Sequence, residues 1–209
     1  MEFHYLDEGI DAIVIDGVYT DEEYRAILDE QISLIPSLLP PNKTAGALSE
    51  DGSHIIKSNH GIFIENTNTS AIITTNFAKF ASDEFYKKVI ELNSMYKIYR
   101  DMDSPSTLLS YYGEGDHYDK HKDASIFTVL VYVFRNKHHP KFSGGDLSLY
   151  SADESKRATI EAKPNRAIVF PSCTMHSVSP VIAKEGFNFS LGDGRFCISH
   201  FLNKKDPRV

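Results

Sequence analysis

The second half of the chain alternates short β-prone runs with turn residues, and this pattern constrains the fold more than any other feature. From about residue 97, runs such as "SIFTVLVYVF", "RAIVFP" and "RFCISHFL" are separated by "GEGD", "NKHHP", "FSGG", "KEG" and "GDG". Many short strands with Gly, Pro and Asn between them are typical of a β-sandwich or barrel. We therefore predict an antiparallel β core over residues 101–209, with "FNFSL" as one of its strands.

The first hundred residues have a different character and are predicted to form a helical layer, with a short strand before the first helix and a strand-like segment over residues 54–66. Thr20 and Glu23 have capping-box spacing, and apolar residues recur at helical spacing after them. Residues 69–96 are predicted to be helical, as two helices, and residues 40–54 are predicted to form a mobile loop. His54, His60 and the "PPNKTAG" part of that loop are expected to form part of a lid. Because no linker separates the two parts, we predict a single domain over residues 1–209. Its class is mainly β (α+β), with N-terminal helices (1–100) packed on the β core.

Charge and composition exclude several classes of partner. The chain has 209 residues and a net charge of −7, and it has no Lys/Arg block of the kind that binds nucleic acid or acidic membranes. Its longest apolar run, residues 126–134, is too short to span a bilayer, and its N-terminus lacks the pattern of a signal peptide. With only two cysteines, the composition favours a reducing, cytoplasmic location.

A metal site is indicated by the segment "YYGEGDHYDKHKD" (111–123), which leads directly into an apolar strand. Side chains at i and i+2 of a strand share a face, so His121 and Asp123 can aim an imidazole and a carboxylate at one point. His176 begins another β-branched run and is the best third ligand. Two histidines and a carboxylate suit non-haem Fe(II), although Zn, Mn or Co could occupy the same set. The His-x-Asp pair alone is also common among solvated residues.

Four blocks of the sequence, in order over residues 108–202, resemble prolyl-4-hydroxylase-type 2-oxoglutarate/Fe(II)-dependent dioxygenases. The first is similar to the family's Tyr, Gly, aromatic and His-x-Asp segment, and "FSGGDLSLY" is similar to its Gly-Gly-x-Leu strand. "NRAIVFPSCTMHSVSPV" is similar to its strand, loop and distal histidine, and "RFCISHFL" to its last core strand. The resemblance implies a double-stranded β-helix (jelly roll), a squashed antiparallel barrel with the metal at its mouth.

The same resemblance implies the cofactors and the residues that bind them. Fe(II) would be held by His121, Asp123 and His176, with O₂ and 2-oxoglutarate as cosubstrates and ascorbate as a reductant. The far carboxylate of 2-oxoglutarate would be held by a basic residue. Arg195 is the predicted anchor, because its planar fork of donors matches a carboxylate and the strand after it matches the family. Lys184 is the alternative, because the gap of nineteen residues between His176 and Arg195 is longer than usual for the family.

Two tyrosines and two apolar residues complete the site that the resemblance implies. Tyr132, which shares a strand face with Thr128, would donate its hydroxyl to the 2-oxoglutarate carboxylate. Tyr111 matches a family tyrosine near the metal and cosubstrate. Leu147 and Val178 are expected to form the wall of the pocket.

Hydroxylation of a peptidyl proline is the activity that the resemblance favours, with a peptide, a protein or a free amino acid as the substrate. One alternative is a cupin-like β-barrel that binds metal without catalysis or contains Zn. Another is a cofactor-free isomerase or sugar-binding barrel. A protein that only binds metal has no use for Arg195 and Tyr132 facing the cavity, so the anchor for the far carboxylate discriminates between these classes.

Overall fold

Two antiparallel sheets that face each other form most of the fold in the computed structural model, which describes residues 1–6, 9–44, 46, 48–49, 51–65 and 69–205. The strands are β1 (Glu2–Leu6), β2 (Ala12–Asp16), β3 (His60–Phe63), β4 (Ser104–Tyr112), β5 (Tyr118–His121), β6 (Phe127–Tyr132), β7 (Phe142–Gly144), β8 (Leu147–Tyr150), β9 (Arg157–Ile160), β10 (Arg166–Pro171), β11 (His176–Val178), β12 (Val181–Ala183) and β13 (Arg195–Asn203).

The larger sheet has seven strands in the order β1-β2-β10-β6-β13-β4-β3. The smaller one has four, in the order β5-β11-β8-β9, and β12 pairs with β7 beside them. Each of these pairings is antiparallel, as the alternation of short strands and turns predicts. The mainly β class predicted from the sequence is therefore confirmed.

Three helices cover one face of the larger sheet: α1 (Asp21–Leu34), α2 (Ala71–Phe80) and α3 (Asp83–Leu92). At the start of α1, the Thr20 hydroxyl accepts from the Glu23 N–H and the Glu23 carboxylate accepts from the Thr20 N–H, so the predicted capping box is present. Ser82 caps α3 in a similar way and separates it from α2, which confirms two helices in this region. None of the helices in the described residues has the length and apolar character needed to cross a bilayer.

The alternation of side chains along the strands of the larger sheet creates two apolar cores. On β2, Ile13 and Ile15 pack with the helices, whereas Ala12 and Val14 face the smaller sheet. The second core, which also contains Leu130, fills the space between the two sheets. The candidate site lies at one end of this inter-sheet space.

Three features differ from the sequence-based expectations. The two sheets do not close into a barrel, because the larger sheet ends at β1 and β3. β1 is an edge strand that the sequence analysis did not predict. β2 and β3 also extend that sheet, and they agree with the strand predicted before the first helix and with the strand-like segment 54–66. The segment "FNFSL" is not a strand: Phe189–Leu191 forms a short 3-10 helix that ends at Gly192, whose φ of 81° is left-handed.

Candidate active site

His121, Asp123 and His176 converge at the end of the smaller sheet. His121 is the last residue of β5 and pairs directly with His176, the first residue of β11. Nε2 of His121 lies 3.8 Å from Oδ1 of Asp123, and Nε2 of His176 lies 3.5 Å from Oδ2. One ligand atom from each residue lies within 4.8 Å of the other two. The three side chains, which are 10%, 13% and 4% exposed, could thus hold one metal ion between them.

Backbone carbonyls orient both imidazoles. Nδ1 of His121 donates to the carbonyl of Asp119 at 2.8 Å, and Nδ1 of His176 donates to that of Thr174 at 2.9 Å. These bonds leave Nε2 of each ring with a free lone pair, the form that binds a metal. Burial, followed by the neighbouring His176, lowers the pKa of His121 to about 3 and keeps this imidazole neutral.

A hydroxyl network fixes the carboxylate. The buried Thr128 donates to Oδ2 of Asp123 at 2.6 Å, and its hydroxyl also contacts that of Ser172 at 2.9 Å. The backbone N–H of Asp123 donates to the carbonyl of Ser172 at 3.1 Å. Asp123 lies two residues beyond the end of β5, so these contacts with β6 and with the end of β10 direct its side chain toward the histidines.

A cavity of about 280 Å³ extends from these three residues into the space between the sheets. Alternate residues of β13, namely Arg195, Cys197 and Ser199, line one side of it. Leu147 and Val178 line the other side, where the sequence places the wall of the pocket.

Arg195 is fully buried at this cavity, and none of the described residues supplies a hydrogen-bond partner to its three guanidinium nitrogens. Its Cζ lies 4.6 Å from the ring centroid of Tyr112 and 4.7 Å from that of Tyr132. The Tyr132 hydroxyl is likewise buried with no hydrogen-bond partner in the part of the chain that the structure describes. Burial raises the pKa of Tyr132, so this phenol stays protonated as a donor. A buried cation without an anion is costly. The arrangement therefore fits a ligand that brings a carboxylate.

Gly145 leaves room for the Arg195 side chain. Its φ is +69°, and a Cβ built there would lie 2.5 Å from Cδ of Arg195. The second glycine of "FSGGD" therefore has a steric role next to the candidate anchor.

Lys184 and Tyr111 do not lie at the cavity. Lys184 is exposed and donates from Nζ to the carbonyl of Pro140 at 3.1 Å. The Tyr111 hydroxyl donates to the carbonyl of Phe189 at 2.8 Å and accepts from the Gly194 N–H at 2.9 Å, within the core under the helices. The expectation that Tyr111 binds cosubstrate is corrected accordingly, because its side chain is on the opposite face of β4.

Several cavity residues, among them Tyr112, Tyr118 and Lys57, were not identified as site residues from the sequence. Tyr112 is the neighbour of Tyr111 on β4, and strand register decides which of the two faces inward. Tyr118, the aromatic residue of the family segment, stacks on His121 with ring centroids 3.5 Å apart. Lys57 comes from the segment before β3 and reaches the cavity through a bridge with Tyr118, a contact for which the sequence carries no signal.

Part of the predicted lid also reaches the cavity. Gly46 lines the cavity, and its carbonyl accepts from the Tyr118 hydroxyl at 2.5 Å. Residues 45, 47 and 50 of that predicted loop lie outside the described residues. His54 is exposed and contacts the neighbouring Ser53 hydroxyl.

Residues 107–203 match the family model of the 2OG-Fe(II) oxygenase superfamily. No curated protein matches the sequence. The fold is similar to that of a prolyl-4-hydroxylase from Pseudomonas putida, with a TM-score of 0.65 and 16% identity over 93% of each chain.

Two further solved structures are similar. One is a prolyl hydroxylase from Trichoplax adhaerens in complex with a peptide fragment of a hypoxia inducible factor oxygen degradation domain, with a TM-score of 0.60 and 16% identity over 92% of this chain and 83% of that chain. The other is an oxidoreductase of the 2OG-Fe(II) oxygenase family from Burkholderia pseudomallei, with a TM-score of 0.59 and 12% identity over 93% of this chain and 86% of that chain. At these identities the likeness establishes the fold, which is the predicted double-stranded β-helix. Residues 107–203, the part of the chain that carries His121, Asp123, His176 and Arg195, are therefore similar in sequence to the 2OG-Fe(II) oxygenase superfamily.

Proposed function

We propose that this dioxygenase hydroxylates an amino-acid residue, a peptidyl proline, with Fe(II) and 2-oxoglutarate bound in the cavity between the sheets. The observation that carries the proposal is one cavity that contains a His-Asp-His group and, beside it, a buried guanidinium without a hydrogen-bond partner among the described residues.

The donor set fits a non-haem iron. Two neutral imidazoles and one carboxylate form the facial group that leaves other positions of the metal open for ligands. The proposed roles are Nε2 ligation by His121 and His176 and carboxylate ligation by Asp123, with Thr128 holding the carboxylate in place.

The buried donors fit 2-oxoglutarate. Arg195 would bind the far carboxylate through its fork of N–H groups, and the Tyr132 hydroxyl would donate a further bond. Tyr112 packs against the guanidinium and keeps water away from it. Leu147 and Val178 form an apolar part of the cavity wall. They would lower the local dielectric constant and so strengthen the interaction between Arg195 and the far carboxylate.

The bound metal, 2-oxoglutarate and O₂ together supply the oxidising power for C–H hydroxylation, with ascorbate proposed as the reductant that keeps the iron ferrous. The protein residues bind the two groups in a fixed relation, exclude water and orient the substrate. Tyr118, stacked on His121 and tied to Gly46, would limit the direction from which a substrate enters.

Two similarities support proline in a peptide as the substrate. The Pseudomonas putida and Trichoplax adhaerens structures are prolyl hydroxylases, and the second holds a peptide fragment. The sequence resemblance points to the same type of enzyme. A peptide array that includes free amino acids as controls, read by a mass gain of one oxygen, identifies the substrate.

Release of succinate from 2-oxoglutarate tests the activity itself. Wild-type protein with Fe(II) and ascorbate should release succinate, and His121→Ala should not. Release that is undiminished in His121→Ala, or absent in the wild type with every array substrate, contradicts the proposal.

The alternative of a non-catalytic or Zn-containing metal-binding protein predicts a different response. Such a protein would bind Zn(II) at the same three residues, but 2-oxoglutarate would not change its metal affinity. Arg195 is buried without a hydrogen-bond partner from the described residues, and this favours the oxygenase, because a protein that only binds metal has no need to bury that charge. A cofactor-free isomerase or sugar-binding protein predicts no spectroscopic change on anaerobic addition of Fe(II) and 2-oxoglutarate.

The location and domain organisation are also proposals. Cys173 and Cys197 are both free, in keeping with the proposed reducing, cytoplasmic location. The helices share one apolar core with the larger sheet, which supports a single domain over residues 1–209.

A further inference from the structure

A second cavity, also of about 280 Å³, lies on the helix-covered face of the larger sheet. Residues of α2, α3, the 3-10 helix Ser94–Asp101 and strands β4, β6 and β13 line it. Much of its wall is apolar and includes Ile73, Phe80 and Val129. The exposed Phe77 also lines it, so the cavity opens to solvent.

The larger sheet separates this second cavity from the active-site cavity. Ser199 of β13 lines the active-site cavity, whereas the next residue, His200, lines the second one. Leu130 and Val129 of β6 divide in the same way, because successive side chains of a strand point to opposite faces. None of the described residues lines both cavities, so a molecule in the second cavity would occupy a different site from 2-oxoglutarate.

The size of the second cavity suits a small organic molecule. An apolar cavity of about 150 Å³ in a protein core is enough to bind benzene. A cavity of about 280 Å³ can therefore accept one ring with a substituent. Apolar walls with a few converging polar groups are typical of ligand sites.

Three buried polar atoms of the lining residues have no hydrogen-bond partner in the part of the chain that the structure describes. They are Nε2 of His200, the hydroxyl of Tyr99 and Nδ2 of Asn76, in residues that are 7%, 5% and 1% exposed. Buried polar groups are normally paired, so three such atoms around one cavity point to a ligand that pairs with them.

Other contacts hold two of these side chains in place. Nδ1 of His200 lies 2.9 Å from the Thr107 hydroxyl. Oδ1 of Asn76 accepts a hydrogen bond from the Tyr19 hydroxyl. Each residue thus uses one polar atom within the protein and keeps a second one for another partner.

The chemistry of the lining favours a neutral ligand with a hydrogen-bond acceptor. Burial raises the pKa of Tyr99, so its phenol stays protonated, and Nδ2 of Asn76 carries N–H donors. Burial lowers the pKa of His200 to about 4, so this imidazole is neutral at pH 7. Arg100 is the one Lys or Arg among the described lining residues, and it is exposed and paired with Asp83 at 3.2 Å. An anion buried here would lack a counter-charge.

We propose that the second cavity is a binding site for a small neutral molecule, an apolar ring that carries a carbonyl oxygen. The ring would pack beside Ile73, Phe80 and Val129. The oxygen would accept a hydrogen bond from Tyr99, and Asn76 and His200 offer the further unpaired groups. This site is independent of the hydroxylase activity proposed for the other cavity.

Acetophenone and α-methylstyrene are matched probes for this site. They have nearly the same shape, but α-methylstyrene has a methylene group where acetophenone has its carbonyl oxygen. Titration calorimetry with the full chain should show that acetophenone binds with a Kd below about 1 mM, a reasonable affinity for a molecule of this size. Benzoate, the anionic analogue, should bind more weakly than acetophenone.

Tyr99→Phe tests the hydrogen bond. The variant removes the unpaired hydroxyl, so the affinity for acetophenone should fall about five- to tenfold, while that for α-methylstyrene stays within about twofold. Thermal unfolding should show a variant at least as stable as the wild type, because the hydroxyl has no hydrogen bond to lose among the described residues.

Tyr86→Phe is the matched control. Tyr86 lines the same cavity, but its hydroxyl already donates to the carbonyl of Lys97 at 3.3 Å. Its loss should leave the affinity for both probes unchanged. Fe(II) and 2-oxoglutarate, added anaerobically, should not displace acetophenone, since they would bind in the other cavity.

Four results would overturn the inference. The first is no binding of acetophenone to the wild type at millimolar concentration, and the second is tighter binding of benzoate than of acetophenone. The third is an affinity for acetophenone that does not change in a folded Tyr99→Phe protein, or that falls equally in Tyr86→Phe. The fourth is displacement of acetophenone by 2-oxoglutarate, which would place the probe in the active-site cavity. Succinate release bears on the hydroxylase proposal alone and leaves each of these outcomes unaffected.

Discussion

The Thr128 hydroxyl donates a 2.6 Å hydrogen bond to Oδ2 of Asp123, and this contact links strand β6 of the larger sheet to the proposed metal site. Thr128→Val keeps the shape of the side chain and removes the donor. We expect metal affinity to fall about 10- to 100-fold, as is typical when a group that orients a metal ligand is lost. Anaerobic Fe(II) titration by calorimetry measures the change.

Thr128→Ser is the matched control, because it retains the hydroxyl and should bind Fe(II) nearly as well as the wild type. Thermal unfolding of both variants checks that the fold is intact. Equal Fe(II) affinity in a folded Thr128→Val protein would show that Asp123 does not depend on this bond.

Arg195 should control the affinity for 2-oxoglutarate rather than for the metal. Arg195→Met removes the charge from the buried cavity, so we expect the KM for 2-oxoglutarate to rise by at least about tenfold while Fe(II) binding stays within about twofold. Arg195→Lys keeps the positive charge but loses the planar fork of donors. Its KM for 2-oxoglutarate should lie between those of the wild type and Arg195→Met.

Lys184→Met provides the comparison for Arg195, since the notably long segment after His176 made either residue a candidate. Its side chain is exposed and directed to Pro140, so the KM for 2-oxoglutarate should not change. An increase in Lys184→Met without one in Arg195→Met would reverse the assignment of the anchor.

The ion pair between Asp16 and Arg166 should make stability depend on pH. Nε and Nη2 of Arg166 each donate to the Asp16 carboxylate at 2.8 Å, across paired positions of β2 and β10. The hydrogen bonds from Arg166 lower the pKa of Asp16 below its usual value, against the opposing effect of burial. The contribution to stability is therefore present above the unfolded-state pKa and is lost as the pH falls through the folded-state pKa.

Urea unfolding of the wild type and Asp16→Asn at several pH values tests this. Near pH 7 we expect the variant to be about 1–2 kcal/mol less stable, with the difference shrinking toward about pH 3. A difference that stays constant over this range would contradict the ionic origin.

The family resemblance is most useful where strand alternation agrees with it. The resemblance implied that Tyr132 and Arg195 lie at the pocket, and the structure brings them together because β6 and β13 are neighbours whose inward faces follow the period of two. The resemblance fails for the Tyr111–Tyr112 pair. Two adjacent tyrosines fit either register, and a shift of one residue exchanges the faces.

Two other features of the fold could not be predicted from residue patterns. The alternation in "FNFSL" favours a strand, but the Asp193 carboxylate accepts from the Asn188 N–H at 3.1 Å and closes a local turn there. Lys57 reaches the cavity only because its segment bridges β5, a contact that is distant in sequence.

Anaerobic visible spectroscopy tests most directly whether the metal and 2-oxoglutarate share this cavity. We predict that Fe(II) and 2-oxoglutarate added together to the wild type produce the charge-transfer band of a chelated 2-oxo acid, and that neither alone does so. The band should be absent in His121→Ala and His176→Ala. Arg195→Met should require a higher concentration of 2-oxoglutarate than the wild type to produce the same band intensity. No band in the wild type, or an undiminished band in both histidine variants, would contradict the account.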